Sequence, residues 1–339
     1  MKAVTFGEIM LRLQPPEYTR FVQASSFEAT YGGAEANVAV SLANLGIHSV
    51  YVTKLPDNEL GQAAVNKLRS FGIDTSLISR GKGRMGIYFN EKGVSERPSK
   101  CLYDRKDSVI SLAKLEDFDW KKIFDGCNWF HLTGVTPALS SSMARNSIEI
   151  CKMAKEAGAF VSVDLNYRSK LWTKEQAKQT MEEIAKYTDL CISNEADARD
   201  VFGISAKDSD VENGVLSLEG YESVARQMCS KYGFKKVAFT LRKSINASHN
   251  KWSGLLYDGE NFYTSREYDM VIYDRLGGGD SFAAGLIFGL MQNWDSQQCV
   301  DFAAASGCLK HTISGDFNMV TKEEVLSLVK NGGSGRIIR

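Results

Sequence analysis

The order of hydrophobic segments constrains this chain more than any other feature of its 339 residues. Apolar strand-like runs alternate with amphipathic helical ones. Near the start, "AVTFGEIMLRL" and "SVYVTKL" read as strands, separated and followed by the helical "GGAEANVAVSLANLG" and "LGQAAVNKLRSFG". Further on, "NWFHLTG", "FVSVDLN", "DLCISN" and "KVAFTL" read as strands with amphipathic helical segments between them. Strands apolar on both faces, each separated by a helix, predict an α/β fold with a mostly parallel central sheet flanked by helices. Two segments, about 11–31 and 84–106, break the rhythm with short alternating runs such as "RMGIYFNEKG". These predict a small antiparallel flap. Open α/β sheets bind ligands beyond the carboxyl ends of their strands, so a flap there acts as a lid. Residues 1–330 show no repeat and no break in composition, which predicts one domain, and the glycine-rich tail 331–339 is expected to be disordered.

Composition narrows the classes of function. Lys plus Arg equals Asp plus Glu, 41 each, so no basic field points to nucleic acid. The seven cysteines include no C-x-x-C pair and are expected as free thiols in a reducing cytoplasm. The opening "MKAVTFGEIM" is too short and polar for a signal peptide, and no apolar run approaches the ~20 residues of a membrane span. The four histidines have no metal-ligand spacing.

The candidate chemistry centres on "DRLGGGDSFAAG", residues 274–285. Backbone N–H groups converge on an anion only where side chains leave room, and Gly277, Gly278 and Gly279 provide that room. A helix starting at about Asp280 adds its free N–H groups and the positive end of its dipole. Asp280 then stands beside an anion hole as a base; the alternative is a plain N-cap. Gly32 and Gly33 precede a second helix carrying Asn37, and serve either ligand approach or close packing. The strand "VSVD" leads into Asp164, Asn166 and Arg168 at the ligand-prone edge. The formal G-x-G-x-x-G at 81–86 runs into a strand, where a dinucleotide fingerprint needs a helix.

These pieces together resemble the ribokinase-type (PfkB) carbohydrate kinases over nearly the whole chain. "YGGAEANVA" matches the family's N-terminal glycine pair, and "DRLGGGD" its D-[TR]-x-G-[AG]-G-D signature. Within that family "DRLGGGD", "DLNYRSKLW" and the lid's "YDR" resemble the 2-keto-3-deoxygluconate kinases. The resemblance implies a ribokinase-like fold and ATP-dependent phosphorylation of a sugar acid at its C6 hydroxyl. Asp280 is then the general base and Gly277 to Gly279 the anion hole. It further implies that Arg105 and Arg168 hold the substrate carboxylate, with Gly33, Asn37, Tyr88, Tyr103 and Asn166 around the sugar. A neutral hexose needs no two guanidinium groups. ATP and Mg²⁺ are implied, and a monovalent cation is left open. Asn194 and Asp197 match a family N-x-x-E motif near the metal and phosphates, with Asp197 one methylene shorter than the usual glutamate. Thr240, Arg242 and Ser244 fall where relatives carry a glycine-rich nucleotide loop, yet "TLRKSINASHN" lacks those glycines. The alternatives are a fructokinase, a ribokinase, a 5-keto-2-deoxygluconate kinase, or a non-catalytic sugar or nucleotide sensor. A homodimer or higher homo-oligomer through the lid is expected.

Overall fold

The computed structural model describes residues 1–206 and 218–333. Nine strands of these residues form one sheet. Its order is Phe262–Thr264, His249–Tyr257, Lys236–Ser244, Leu190–Ser193, Phe160–Asp164, Trp129–Thr133, Lys2–Phe6 and His48–Val52, with Tyr268–Val271 also paired to His249–Tyr257. The run from Lys236–Ser244 to His48–Val52 is parallel throughout, and the remaining pairs are antiparallel. Trp129–Thr133 and Leu190–Ser193 are buried at every position, as strands covered on both faces must be. One face packs on the helices Ser141–Glu156 and Lys174–Ala185 through Ile150 and Met181; the other packs on Ala34–Asn44, Gly278–Met291 and Ser296–Lys310 through Val38, Phe282 and Ala303. Each of the larger of these side chains, Ile150, Met181, Val38 and Phe282, contributes roughly 1.5–3 kcal/mol by leaving water.

The helix Gly278–Met291 is apolar all round, with eleven of its 14 residues buried. Such a helix belongs inside the protein and holds its first turn rigidly. Gly285 lets the helix Ser296–Lys310 approach closely, since a Cβ there would overlap the backbone at Ala303.

Four short strands form the lid, in the order Glu28–Gly32, Met10–Gln14, Ile87–Glu91 and Lys100–Asp104. Its central pair is parallel, so the lid is a mixed sheet and not the antiparallel flap expected. "AVTFGEIMLRL" is two strands: Lys2–Phe6 joins the core sheet and Met10–Gln14 joins the lid. The break falls at Gly7, where a Cβ would overlap the Glu35 carboxylate. "SVYVTKL" divides likewise, its end pairing in a two-stranded sheet with Ser79–Gly81. "TLRKSINASHN" is no open loop but the tip of the hairpin made by Lys236–Ser244 and His249–Tyr257. All seven cysteines are free thiols. The last helix runs through Asn331, and residues 334–339 of the expected tail lie outside the described residues. No helix among the described residues is long and apolar enough to cross a membrane.

Candidate active site

The three glycines are bare for three different reasons. Gly277 has φ +82°, a left-handed conformation that favours glycine, and a Cβ there would overlap the carbonyl oxygen of Asp316. A Cβ on Gly278 would overlap the buried His311 ring. A Cβ on Gly279 would meet nothing within 4 Å. The helix starts at Gly278, two residues before the expected start, and its first intrahelical bond runs from Ser281 N to Gly277 O at 2.9 Å. The N–H groups of Gly278, Gly279 and Asp280 thus have no acceptor within the helix and are free to bind an anion.

Asp280 projects from the first turn and accepts a 2.6 Å hydrogen bond from Asn37 Nδ2. Burial pushes its pKa up to about 6; the Asn37 bond pulls it back, the Asp316 charge adds to the rise, and Arg168 and Lys310 oppose it. A carboxylate tuned toward neutrality suits general-base work. Asn37 is itself held by Gly33 N, which donates to its Oδ1 at 3.3 Å. The close-packing reading of the glycine pair holds, and the pair also faces a cavity where a ligand could approach. A Cβ on Gly33 would overlap Glu8 O and one on Gly32 the Asp316 carboxylate, so both positions pack closely, and both also line the cavity.

All the sugar-side residues expected from the sequence meet in that cavity, of about 110 Å³, together with Gly277 and Asp280. Tyr88 and Tyr103 stack at 5.8 Å between ring centroids, and the Arg105 guanidinium lies 5.7 Å from the Tyr103 ring. Tyr88 Oη is buried near the Asp316 carboxylate, with no well-formed hydrogen bond among the described residues. Asn166 has φ +37°, and its N–H donates to Asp164 Oδ1 at 3.1 Å, turning the chain sharply where the strand ends. Arg168 is exposed and donates to Tyr167 O at 3.1 Å. Burial, reinforced by the charges of Asp197 and Asp280, holds the Asp164 carboxyl well above the usual range.

Several site groups carry no local sequence signal. Glu8 is buried where the first strand breaks, accepting from Arg105 Nε at 2.8 Å, from Arg105 Nη2 and from Ser108. Glu35 is 1% exposed; its Oε1 accepts from Thr133 N, Thr133 Oγ1 and Thr136 Oγ1, while Oε2 has no hydrogen-bond partner among the described residues. Arg12, from the lid, bridges Asp274 and Asp316 at 2.6 Å each. The small cavity adjoins a cleft of about 990 Å³ whose lining includes six cations, Lys92, Arg105, Lys106, Arg168, Lys170 and Arg275, and the single carboxylate of Asp274. Such a cleft suits anionic substrates.

Of the residues expected on the nucleotide side, Gly277 lines the small cavity, while Gly279, Asn194, Thr240, Arg242 and Ser244 line neither cavity. Thr240, Arg242 and Ser244 are strand residues paired with Gly254, Trp252 and Asn250, and the Arg242 guanidinium lies 5.2 Å from the Trp252 ring. Asn194 caps the helix Glu195–Phe202: its Oδ1 accepts from Asp197 N and its Nδ2 donates to Asp197 Oδ2, each at 2.9 Å. Asp197 is buried, with its pKa pushed up to about 6 by that burial. Among the described residues, no three His, Cys, Asp or Glu side chains come together to hold a metal ion.

A parallel sheet under a lid, with a buried carboxylate beside free helix N–H groups and a cationic cleft, is an arrangement able to bind phosphate and move a proton from a hydroxyl. The chain belongs to the pfkB family of carbohydrate kinases, whose profile matches residues 1–322, and it is a phosphotransferase with a ribokinase-like fold. It is similar to the crystal structure of a 2-dehydro-3-deoxygluconokinase from Thermotoga maritima, with 50% identity, a TM-score of 0.94 and 98% of each chain covered. It is 32% identical to a 2-dehydro-3-deoxygalactonokinase from Haloferax volcanii, covering 98% of each chain. It is 29% identical to a 2-dehydro-3-deoxygluconokinase from Bacillus subtilis, covering 97% of this chain and 95% of the relative.

Proposed function

We propose that the chain transfers the γ-phosphoryl group of ATP to the C6 hydroxyl of 2-keto-3-deoxygluconate (2-dehydro-3-deoxygluconate). The observation that carries this reading is the charge pattern of the small cavity. Arg105 is matched by Glu8, and Asp316 by Arg12. Arg168 makes no ion pair among the described residues; its charge is felt by the buried Asp280, Asp164 and Asp197, but its exposed guanidinium lines both the small cavity and the cationic cleft, where a substrate carboxylate can meet it. The names of the similar proteins support a keto-deoxy sugar acid as substrate class.

In this mechanism Asp280 accepts the proton of the C6 hydroxyl as its oxygen attacks the γ-phosphorus and the bond to the ADP oxygen breaks. The N–H groups from Gly277 to Asp280 stabilise charge on the phosphoryl group in flight. Mg²⁺ bound with ATP would offset the charge of the phosphates, and Asn194 and Asp197 would be the side chains nearest to it in this reading. Asn194 is assigned to the phosphate side, and Asp197 to the water around the metal. Thr240, Arg242 and Ser244 are assigned to the nucleotide side. Self-association through the lid belongs to the same reading, supported by its exposed Val22, Phe27 and Leu102.

The test is a substrate panel with ATP. It sets 2-keto-3-deoxygluconate, its galacto epimer and 5-keto-2-deoxygluconate beside fructose and ribose, with the phosphorylated carbon read by NMR. The expected result is the highest kcat/KM on 2-keto-3-deoxygluconate and phosphate on C6. A higher kcat/KM on any neutral sugar overturns the carboxylate reading. The second substrate to weigh is the galacto epimer, which the Haloferax relative's name favours.

A further inference from the structure

We infer that Arg12 is a positioning residue for phosphoryl transfer, fixing the anion hole from the sugar lid. It sits on the lid strand Met10–Gln14, yet its guanidinium is 1% exposed and reaches two loops far along the chain. Nη2 donates to Asp274 Oδ2 and Nη1 to Asp316 Oδ1, each at 2.6 Å. Nη2 also meets Gln14 Oε1, which accepts from Asn90 of the neighbouring lid strand at 2.8 Å. Each aspartate holds a piece of the anion hole. Asp274 accepts from Leu276 N at 3.3 Å, just before Gly277, and from Gly315 N at 3.0 Å. Asp316 presents its carbonyl oxygen against Gly277, so the position of its loop sets the glycine turn. One planar guanidinium thus joins the lid, the glycine loop and the 313–318 loop. A lysine carries the same charge but cannot span two carboxylates with a rigid fork.

The bridge also sets the field at Asp280. The charged groups acting on it are Asp316 from the loop, Arg168 beyond the strand Phe160–Asp164 and Lys310 from the helix Ser296–Lys310. Asp164 feels the charge of Asp280 from the end of its strand, and Glu8 and Arg105 line the same cavity as an internal pair. Asp316 raises the Asp280 pKa, and Arg12 is the cation paired with Asp316.

The inference rests on Asp280 as base, so the experiment separates the two. R12K, D316N and D280N are compared by kcat and both KM values from pH 5 to 8, with thermal melts. R12K is expected to lose about tenfold or more in kcat while each KM stays within about threefold, since the anion hole acts on the transition state. D316N is expected to move the acid limb of kcat to lower pH by about half a unit or more, because a like charge near the base is gone. R12K keeps the positive charge and D316N removes one carboxylate of the buried pair, so D316N is the more liable to destabilise, and whichever of the two melts as a folded protein decides. A folded R12K with wild-type kcat, a loss confined to KM, or an unmoved limb in D316N overturns the role of Arg12. If D280N is dead in the same assay, that failure belongs to Arg12 alone. A D280N variant with near-normal kcat sinks the base assignment, and the Arg12 inference falls with it.

Discussion

At the scale of single residues, Asp280 couples activity to pH and to stability. Its pKa is pushed up to about 6 against an ordinary 3.8. A base with that pKa predicts an acid limb near pH 6 in the kcat profile, with activity falling below it. D280N should lower kcat by about 10²–10⁴, the usual worth of a general base, while nucleotide affinity by calorimetry stays within a few-fold. The sign for stability follows from the raised pKa. The folded state binds this proton more tightly than the unfolded chain, so the contribution is present below pH 3.8 and lost as pH rises through 6. D280N is therefore expected to melt higher than wild type at pH 8, the opposite of what a structural N-cap would show. The glycines give a second prediction. G278A forces a methyl against the His311 ring and should cost about 1–3 kcal/mol of stability in denaturant unfolding. G279A meets open space and should melt at or above wild type because alanine favours the helix; if that space takes the phosphoryl group as proposed, it should also lose at least about tenfold in kcat/KM. If the two alanines behave alike, the division of roles among the glycines is wrong.

At the scale of elements, the lid closes onto the hairpin that replaces the glycine-rich nucleotide loop. Ala247 N donates to Ser95 O at 2.8 Å, and Ser95 N donates to Ser248 Oγ at 2.9 Å. The lid turn and the hairpin tip thus latch across the cationic cleft. A hydrogen bond of this kind is worth about 0.5–1.5 kcal/mol net. S248A should raise KM for the sugar about two- to tenfold with kcat and melting temperature nearly unchanged, because a less populated closed lid weakens apparent affinity. An unchanged KM would mean that the latch does not hold the closed lid. The hairpin also marks the limit of what could be read in the sequence. The parallel strands were legible because burial on both faces leaves continuous apolar runs, as in Trp129–Thr133. The division of "AVTFGEIMLRL" between two sheets was not, because the apolar pattern continues across Gly7 although the chain changes direction there. Neither was the parallel pairing of Met10–Gln14 with Ile87–Glu91, since alternation specifies a face and not a partner.

At the scale of the whole molecule, the site is made of segments that only the fold brings together. Motif chemistry identified Asp280, Asn37 and Arg168, because glycine loops and clustered polar residues at strand ends leave local marks. Arg12 pairs with Asp316, 304 residues away, and nothing local in either segment announces the partner. Glu35 was passed over for a similar reason: in "GGAEANVA" it looks like a first-turn helix acid, and only the folded chain shows Thr133 and Thr136 closing around it. Its burial has a consequence for the whole chain. Desolvation pushes its pKa up to about 7, only partly offset by the hydrogen bonds from Thr136 and Thr133. For a raised carboxyl the stabilising contribution is complete below the unfolded pKa of about 4.5 and is lost as pH rises through 7. The buried imidazoles of His131 and His311 act in the opposite sense, each lowered to about 3 with burial as the first cause. Their contribution is present above pH 6.5 and declines as pH falls toward 3. The two sets partly cancel only below about pH 6.5; above it the histidines no longer change, so the loss from Glu35 stands unopposed and wild-type stability should decline from pH 6.5 to 8. E35Q removes one side of the balance while keeping the oxygen that Thr133 and Thr136 need. It should be more stable than wild type at pH 8, by up to about 3 kcal/mol at 1.36 kcal/mol per pKa unit, and the gain should shrink toward zero by pH 5. Urea unfolding of both proteins at pH 5, 6, 7 and 8 measures this directly. A difference between them that does not depend on pH would mean that Glu35 keeps the same protonation state, folded and unfolded, throughout the range.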